Sequence, residues 1–399
     1  MICEVCNSNI SNKIFLNLGK QPLCDDLIKI NSKKISRLYK LELIYCNNCF
    51  TVHQKYQVPK KKLFPKSYHY RSNLTKDVLD GMKNFSFQCT RYIASNKKKP
   101  VVLDIGSNDG SLLDLFKKKG YVTIGVEPTN ACKSKNNKKH NIYNNYFDLE
   151  LALKIKKDFK EIDLITFTNV FAHIEDLIQL IKSLKILIGK NTILAIENHY
   201  LGSIVNKFQF DTFYHEHPRT YSLNSFNFIA KKLELPLFNF TFTKRYGGNI
   251  RVFLGNRKQS DLNKLKLNQT IKNEKKFKNN LYRFQKKIDV WKIKTKKLLI
   301  KQLNYQDKLY FKAFPGRASI LINLLELNHD KIYGVFEKNN SPKVGNYIPG
   351  TRIKIFNDKV LFKLKEKPKV VVNLAWHISN EIRDYLKKNK IKSKVLDIL

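Results

Sequence analysis

The chain has 399 residues, of which 42% are hydrophobic, and it carries a formal net charge of +42. Its length exceeds what one ordinary hydrophobic core accommodates, so two or three domains are expected. Aromatic residues run along the whole chain, which excludes a largely disordered protein. No apolar run reaches the ~20 residues of a membrane-spanning helix, and the N-terminus lacks the features of a secretory signal. We therefore expect a soluble, cytoplasmic protein that does not associate with membranes.

The positive charge is distributed along the chain and does not by itself indicate nucleic-acid binding. Short lysine runs occur at residues 60–62, 97–99, 117–119 and 387–388, and they do not gather in one arm or stripe. Asn and Ile, which share AT-rich codons with Lys, are abundant as well. A biased genome composition accounts for this pattern, so nucleic acid is disfavoured as a partner. The same charge is compatible with a substrate that carries a diphosphate.

Four of the seven cysteines form two close pairs that are typical of a zinc site. Cys3 and Cys6 form the first pair, and Cys46 and Cys49 form the second, 39 residues further on. Two such CxxC pairs supply the four thiolates of a tetrahedral zinc ion, with Zn–S bonds of about 2.3 Å. The odd cysteine total argues against a disulfide framework. Because four thiolates leave no open coordination position, the pattern predicts a structural zinc ion.

The central region has the pattern of a nucleotide-binding βαβ unit. Residues 100–106 form an apolar run that ends in a turn, residues 111–116 have helical spacing, and residues 121–127 form a second apolar run. Glu127 ends the second run, 23 residues after Asp104. An acid at the tip of the second strand of such a unit binds ribose hydroxyls.

The loop of this unit distinguishes between cofactors. Its sequence, D-I-G-S-N-D-G from Asp104 to Gly110, lacks the G-x-G-x-x-G pattern of dinucleotide-binding folds. It resembles the first motif of class I S-adenosylmethionine-dependent methyltransferases, in which the glycine turn accommodates the amino-acid end of the cofactor. Together with a later asparagine, the cofactor-binding residues expected on this basis are Asp104, Ile105, Gly106, Asn108, Asp109, Gly110, Glu127 and Asn169.

Two further apolar runs extend the same sheet. Residues 162–167 and 191–197 are predicted strands. Asn169 and His173 follow the first of these strands. Because ligands in open α/β sheets bind at the carboxyl ends of the strands, we expect both side chains near cofactor and substrate.

The densest chemical cluster of the chain lies at residues 210–217. Tyr214, His215, Glu216 and His217 are adjacent, an unusual run of polar side chains for a core segment. The H-E-H sequence lacks the H-E-x-x-H spacing of zinc proteases. An imidazole, with an ordinary pKa of about 6.5, suits proton removal next to a carbonyl. A carboxylate can orient that imidazole, and a phenol can stabilise an enolate oxygen.

Taken together, these motifs resemble the sugar C-methyltransferases of deoxysugar biosynthesis. The resemblance extends over nearly the whole chain and in the same order. The matching segments are Cys3 to Cys6, residues 18–23, Cys46 to Cys49, residues 68–72, residues 104–112, residues 214–217, residues 246–251 and residues 345–351.

The resemblance implies roles for individual residues. His217 would remove the proton at C3 of a 4-keto sugar nucleotide, and Glu216 would hold His217. The carbanion would then take the methyl group of S-adenosylmethionine by direct displacement. The other substrate-side residues that the resemblance implies are Tyr214, His173 and either Tyr70 or Tyr68.

The sequence predicts an α/β protein with three parts. Residues 1–65 form the zinc-binding region, residues 66–255 a class I, Rossmann-like methyltransferase domain, and residues 256–399 a helical linker followed by a small α/β domain. In the linker, Leu281, Phe284, Ile288, Trp291 and Leu298 have helical spacing, which predicts one or two long helices. Three predicted strands follow, at residues 309–314, 332–337 and 370–374. By the resemblance, this last domain covers the sugar nucleotide.

Two other functions are compatible with parts of the sequence. A zinc-containing RNA or protein methyltransferase would use the basic surface to bind a macromolecule, and a basic stripe beside the active site would favour it. A non-catalytic scaffold would not need both the cofactor loop and the histidine motif. The sequence does not determine the sugar, the methylated carbon or the oligomeric state.

Overall fold

In the computed structural model, which describes residues 1–74, 76–93 and 97–399, the chain divides into two units. The first unit comprises Met1–Lys13, Ile44–Phe208 and Glu216–Asn280. The second comprises Ile14–Leu43, Gln209–His215 and Leu281–Leu399. Each unit is therefore assembled from segments that lie far apart in the sequence.

The described residues form strands and helices throughout. The strands are β1 (Ile14–Pro22), β2 (Ile28–Lys29), β3 (Leu38–Tyr45), β4 (Val52–Gln54), β5 (Val101–Ile105), β6 (Val122–Val126), β7 (Asn141–Tyr143), β8 (Leu164–Thr168), β9 (Ile193–His199), β10 (Arg219–Thr220), β11 (Leu237–Thr243), β12 (Asn249–Leu254), β13 (Leu309–Lys312), β14 (Ile332–Glu337), β15 (Asn346–Tyr347), β16 (Ile355–Asn357), β17 (Val370–Asn373) and β18 (Lys394–Asp397). The helices are α1 (Lys60–Leu63), α2 (Lys76–Thr90), α3 (Ser111–Lys117), α4 (Leu149–Phe159), α5 (Leu177–Leu187), α6 (Leu201–Lys207), α7 (Leu223–Leu233), α8 (Asp261–Glu274), α9 (Phe277–Leu281), α10 (Phe284–Gln302), α11 (Ala318–Leu325), α12 (Asp358–Lys363) and α13 (Ser379–Lys388).

A seven-stranded sheet forms the centre of the first unit, in the order β11-β12-β9-β8-β5-β6-β7. The strands β5 to β9 run parallel to one another, whereas β12 is antiparallel to both β9 and β11. This is the class I, Rossmann-like methyltransferase topology that the sequence predicts. The apolar runs at residues 100–106, 121–127, 162–167 and 191–197 are the central strands β5, β6, β8 and β9. Strands covered on both faces need such continuous apolar sequences.

The second unit contains a five-stranded parallel sheet in the order β16-β14-β13-β17-β18. The three strands predicted near the C-terminus are β13, β14 and β17, so the predicted second α/β domain is confirmed. In the same unit β1 is the neighbour of β3, and β2 pairs antiparallel with β15.

The lysine-rich segment before this sheet differs from its prediction. It forms the three helices α8, α9 and α10 instead of one or two long ones. Leu298 was expected on the buried face of α10, but it is 39% exposed, whereas Leu299 is buried. Phe284, Ile288 and Leu299 lie on the buried face of α10. With 3.6 residues per turn, position 299 lies almost directly above position 288, whereas position 298 points away from that face. None of the helices in the described part of the chain combines the length and apolar character that crossing a bilayer requires.

A buried ion cluster fixes the carboxyl end of β9. The fully buried Glu197 carboxylate lies 2.6 Å from Arg245 Nη1 and 2.6 Å from Arg251 Nε. Arg251 also donates to the carbonyl of Gly81 in α2, at 3.1 Å. A Cβ atom at position 81 would overlap the Arg245 guanidinium, so only glycine lets the helix approach this closely. The cluster therefore joins α2, β9 and β12.

We expect Glu197→Gln to lower the free energy of unfolding by about 3–5 kcal/mol, because it leaves two guanidinium groups buried without their counter-charge. Denaturant unfolding measures the change. The matched control is Glu234→Gln, which alters an exposed ion pair with Lys185 and should leave stability nearly unchanged. Equal stability of the two variants would contradict the assigned role of the cluster.

Candidate active site and zinc site

The two cysteine pairs adopt the same backbone turn. In the first, the Cys3 N–H donates to the Ser8 carbonyl at 2.9 Å, and the Asn7 N–H donates to the Cys3 carbonyl at 2.8 Å. The second pair repeats this pattern from Cys46. Each turn includes a left-handed residue, Asn7 with φ 61° and Phe50 with φ 62°. Asparagine adopts this conformation readily, whereas phenylalanine does so rarely. The two turns therefore hold their cysteines in the same local geometry.

The four thiols converge on one point. The sulfur atoms of Cys3, Cys6, Cys46 and Cys49 all lie within 4.8 Å of one another, and the Cys3–Cys49 and Cys6–Cys46 distances are each 3.5 Å. A tetrahedron with Zn–S bonds of about 2.3 Å has edges of about 3.8 Å. The donor set and its spacing therefore fit a structural zinc ion, which would hold the two turns together.

The thiols of the cluster share their protons. Hydrogen bonds among them lower the pKa of the Cys46 thiol and raise the pKa values of Cys3 and Cys49, so binding a metal ion would displace the protons that the thiols hold. His53 Nε2 lies 3.3 Å from the Cys3 sulfur. Burial lowers the pKa of His53 to about 3, so this imidazole adds no positive charge beside the sulfur. His53 is fixed by β4, where it faces Arg219 of β10.

We expect the purified wild-type chain to carry one zinc ion, measured by elemental analysis, and to unfold at lower temperature after chelation. Metal-binding free energy in such sites is also folding free energy. Cys46→Ser should lose the ion. The matched control, Cys132→Ser, alters a half-buried thiol outside the cluster and should retain it. Zinc retained at full occupancy in Cys46→Ser would refute this site.

The loop after β5 follows a course that only glycine permits at two positions. Gly106 and Gly110 have φ angles of 78° and 81°, and Asn108 has φ 50°. A Cβ atom at Gly106 would overlap the Val170 side chain, and one at Gly110 would overlap Asn137. The loop thus brings bare backbone to the carboxyl edge of the sheet, where a ligand can approach closely.

Glu127 lies at the end of β6, beside this loop. Its carboxylate accepts hydrogen bonds from the Asn108 N–H at 3.0 Å and from the Thr129 N–H at 2.9 Å. Burial raises the pKa of Glu127, while these hydrogen bonds and the charge of Arg71 oppose the rise. A fixed carboxylate with further acceptor capacity is suited to ribose hydroxyls.

The remaining predicted cofactor residues lie at the same edge. Asp104 accepts from Thr166 Oγ1 at 2.7 Å, and burial raises the pKa of Asp104 to about 7. Asn169 follows β8 with φ 56° and accepts from Asn249 Nδ2 at 2.8 Å. Ile105 is the last, buried residue of β5. The glycine cradle and the acid on the next strand fit S-adenosylmethionine, and the roles of Glu127 at its ribose and of the loop at its amino-acid end stay predictions.

Three histidines form a contiguous group. The ring centroid of His217 lies 5.0 Å from that of His173 and 5.0 Å from that of His199. His173 Nδ1 is 2.7 Å from the carbonyl oxygen of Glu216. Because a carbonyl can only accept, Nδ1 carries a proton, and in the neutral ring Nε2 is the acceptor. The backbone of His217 is fixed by a hydrogen bond of 2.9 Å, which Gln54 Nε2 donates to the His217 carbonyl oxygen.

Tyrosines lie against both sides of this group. The Tyr68 hydroxyl donates to Glu216 Oε2 at 3.2 Å. The Tyr70 and Tyr246 hydroxyls are 3.3 Å apart, and the Tyr246 ring lies 5.5 Å from that of His199. The resemblance implied either Tyr68 or Tyr70 as a substrate-side residue. In the structure both lie against polar groups of the first unit, Tyr68 against Glu216 and Tyr70 against Tyr246.

The predicted motif at residues 214–217 is divided between the two units. Glu216 and His217 belong to the first unit, whereas the half-buried Tyr214 and the buried His215 belong to the second. His215 packs against Tyr39 there, with ring centroids 5.9 Å apart. The role of Tyr214 stays a prediction.

Sequence reasoning missed His199 and did not assign Tyr246 to the site. His199 ends β9, two residues beyond the predicted strand. The rule that ligands bind at carboxyl ends of strands would have indicated it, had the strand been extended. Tyr246 has φ 50° and precedes Gly247 and Gly248. Its left-handed backbone turns the chain between β11 and β12.

Comparison with known families follows the same organisation along the chain. Residues 3–64 match a zinc binding domain, residues 70–236 a methyltransferase domain, and residues 244–394 a C-methyltransferase C-terminal domain. The chain thus combines, in this order, a zinc binding domain, a methyltransferase domain and a C-methyltransferase C-terminal domain. Its cofactor is S-adenosylmethionine, and its cysteine cluster is the zinc site.

Individual relatives are distant. C-methyltransferase NovU of Streptomyces niveus is 24% identical over 253 residues, which cover 63% of this chain and 60% of that protein's length. Among solved structures, the plantazolicin methyltransferase BpumL in complex with SAH is 14% identical with a TM-score of 0.37, covering 47% of this chain and 87% of that one. The PH0226 protein from Pyrococcus horikoshii OT3 is 13% identical with a TM-score of 0.37, covering 49% and 98%.

We expect Glu127→Gln to weaken binding of S-adenosylhomocysteine to the chain by roughly 5- to 150-fold, the effect of about 1–3 kcal/mol for an impaired buried hydrogen bond. In the variant, an NH2 group takes the place of one carboxylate oxygen. This group donates hydrogen bonds, so it cannot accept from the N–H groups of Asn108 and Thr129 as the oxygen does. Isothermal titration calorimetry measures the affinity. Glu161→Gln, at an exposed glutamate, is the matched control. Wild-type affinity in Glu127→Gln would contradict the assignment.

Proposed function

We propose that the chain transfers a methyl group from S-adenosylmethionine to a carbon atom next to the keto group of a 4-keto sugar nucleotide. The observation that carries this proposal is the placement of the histidine group beside the cofactor loop. His199 ends β9 and Asn169 follows β8, and the Asn169 N–H donates to the Glu197 carbonyl of β9 at 2.8 Å. His199, whose ring lies 5.0 Å from that of His217, thus ends at the same edge of the sheet as Asn169, and this supports the proposal. The relative from Streptomyces niveus is a C-methyltransferase, which supports the reaction class.

His217 is the base in this proposal. Removing a proton from carbon next to a carbonyl requires a group with a pKa near the working pH, which imidazole provides. His217 is only 4% exposed, so bulk water does not compete for its lone pair. His173 and His199 flank it, and their imidazoles can share the proton after it is removed.

The Tyr70–Tyr246 hydroxyl pair stabilises the enolate, whereas Tyr68 acts on Glu216. Glu216 accepts from Tyr68, which fixes the phenol of Tyr68 beside the base. In the Tyr70–Tyr246 pair one hydroxyl donates to the other, so one proton remains to hydrogen-bond the developing oxyanion. Preorganised donors at such a position are usually the largest electrostatic contribution to catalysis.

The cofactor, when bound, supplies an electrophilic methyl group on sulfonium. The chain's own contribution to this step is orientation, because Gly106 and Gly110 allow backbone contact and Glu127 fixes the ribose. Proximity of this kind accounts for a large share of the barrier reduction in two-substrate reactions. We infer that Tyr214 contacts the nucleotide sugar, and we assign the reaction to the cytoplasm.

The test is turnover with methyl-labelled S-adenosylmethionine and a panel of 4-keto sugar nucleotides. We expect label on carbon, and we expect His217→Ala to lower kcat by at least about 100-fold, the usual contribution of a general base. His329→Ala, at an exposed histidine, is the matched control and should retain wild-type turnover.

Two results would overturn the proposal. Full turnover in His217→Ala would remove His217 as the base. Cofactor binding without transfer to any keto sugar would remove the substrate class, and labelled RNA as product would support a macromolecular methyltransferase instead.

A further inference from the structure

The side chains of the cofactor loop hold a segment that precedes it by more than thirty residues. Asn108 Oδ1 accepts from the Ser72 N–H at 3.1 Å, and Asn108 Nδ2 donates to the Tyr70 carbonyl at 3.2 Å. Asp109 Oδ2 accepts from the Asn73 N–H at 2.9 Å. Three hydrogen bonds therefore fix the backbone of residues 70–73 to two adjacent loop residues.

This segment carries the tyrosines of the active site. Arg71 Nη1 donates to the Tyr68 carbonyl at 2.9 Å and to the Tyr70 carbonyl at 2.7 Å, which closes residues 68–71 into a turn. The hydroxyls of Tyr68 and Tyr70 lie against Glu216 and Tyr246, respectively. The placement of both phenols thus depends on a backbone that the cofactor loop holds.

The same loop residues are tied to groups on the cofactor side. The Asn108 N–H donates to Glu127, the acid assigned to the ribose. The second oxygen of Asp109 accepts from the Ser111 N–H at 3.2 Å and from the Ser111 hydroxyl at 2.6 Å, at the start of α3. A continuous hydrogen-bonded path therefore runs from Glu127 through Asn108 to Tyr70.

We propose that Asn108 and Asp109 are positioning residues that couple cofactor binding to the placement of Tyr68 and Tyr70. A ligand on Glu127 and the loop restricts the motion of Asn108, and the side-chain hydrogen bonds transmit this restriction to residues 70–73. The coupling is reciprocal, so a substrate that orders the tyrosines also strengthens cofactor binding. This inference rests on the proposed function for the identity of the ligands.

The test uses hydrogen–deuterium exchange with S-adenosylhomocysteine as the probe. In the wild-type chain, saturating probe should slow exchange in residues 104–112 and, by about tenfold or more, at the amides of Ser72 and Asn73, since an order of magnitude corresponds to 1.4 kcal/mol of coupling. In Asn108→Gly, residues 104–112 should remain protected by the probe, while its effect on Ser72 disappears. Glycine accepts the left-handed backbone of position 108 and removes only the side chain.

A second variant and a control separate coupling from general loosening. Asp109→Asn replaces one acceptor oxygen and should abolish the probe's effect on the Asn73 amide. Asn137→Ala removes a hydrogen bond of 2.9 Å to the Asn108 carbonyl from the other side of the loop, and the protection of residues 70–73 at saturating probe should persist. A purely structural role for Asn108 would speed exchange equally with and without the probe.

The outcomes distinguish this inference from the proposed function. If the probe protects residues 70–73 of Asn108→Gly as strongly as those of the wild type, the coupling is refuted and the proposed function is untouched. If the wild-type chain fails to bind the probe, the proposed function is overturned and the coupling with it.

Discussion

The buried Glu197 carboxylate between Arg245 and Arg251 is the interaction on which the first unit depends. It lies in β9, two residues before His199, and Arg245 immediately precedes Tyr246. Asn249, which donates to Glu197 at 3.1 Å, also donates to Asn169 at the end of β8. One charge cluster therefore sets the positions of side chains on the cofactor side and the base side of the same edge. Such a cluster costs desolvation free energy, and it is retained here at the site where geometry must be fixed.

The zinc site also fixes the position of a chain segment, by metal coordination and not by a buried charge cluster. The N-terminal segment of the first unit, Met1–Lys13, is short. By itself it could not bury enough apolar surface to hold its position. Coordination of its thiols with those of Cys46 and Cys49 fixes the segment through bonds much stronger than packing contacts. Glu4 adds a buried ion pair of 2.6 Å with Arg219, whose strand β10 leads directly from His217. The zinc ion is therefore structural, and it stabilises the strand that follows His217.

Cofactor and substrate residues are joined by polar contacts more than by apolar packing. The loop at Asn108 and the turn at residues 68–71 are irregular backbone, so side chains satisfy the hydrogen-bonding groups that a sheet or helix would otherwise satisfy. Hydrogen bonds of this kind are directional, so a movement of the loop is passed to the residues bonded to it. Apolar side chains in contact can shift past one another without such an effect. The proposed coupling between the loop and the tyrosines uses contacts of this kind.

The sequence by itself determined the features that depend on local geometry. The cysteine pairs, four strands of the seven-stranded sheet, three strands of the five-stranded sheet, the glycine loop and the position of Glu127 follow from residue spacing, because each uses contacts between near neighbours. Tertiary structure alone decided the rest. His199 joins His217 because β9 extends to the edge beside β8, Leu299 replaces Leu298 because the buried face of α10 follows the packing, and Tyr214 and His217 fall in different units. These outcomes depend on contacts between residues far apart in the chain, and no local pattern encodes which distant segments meet.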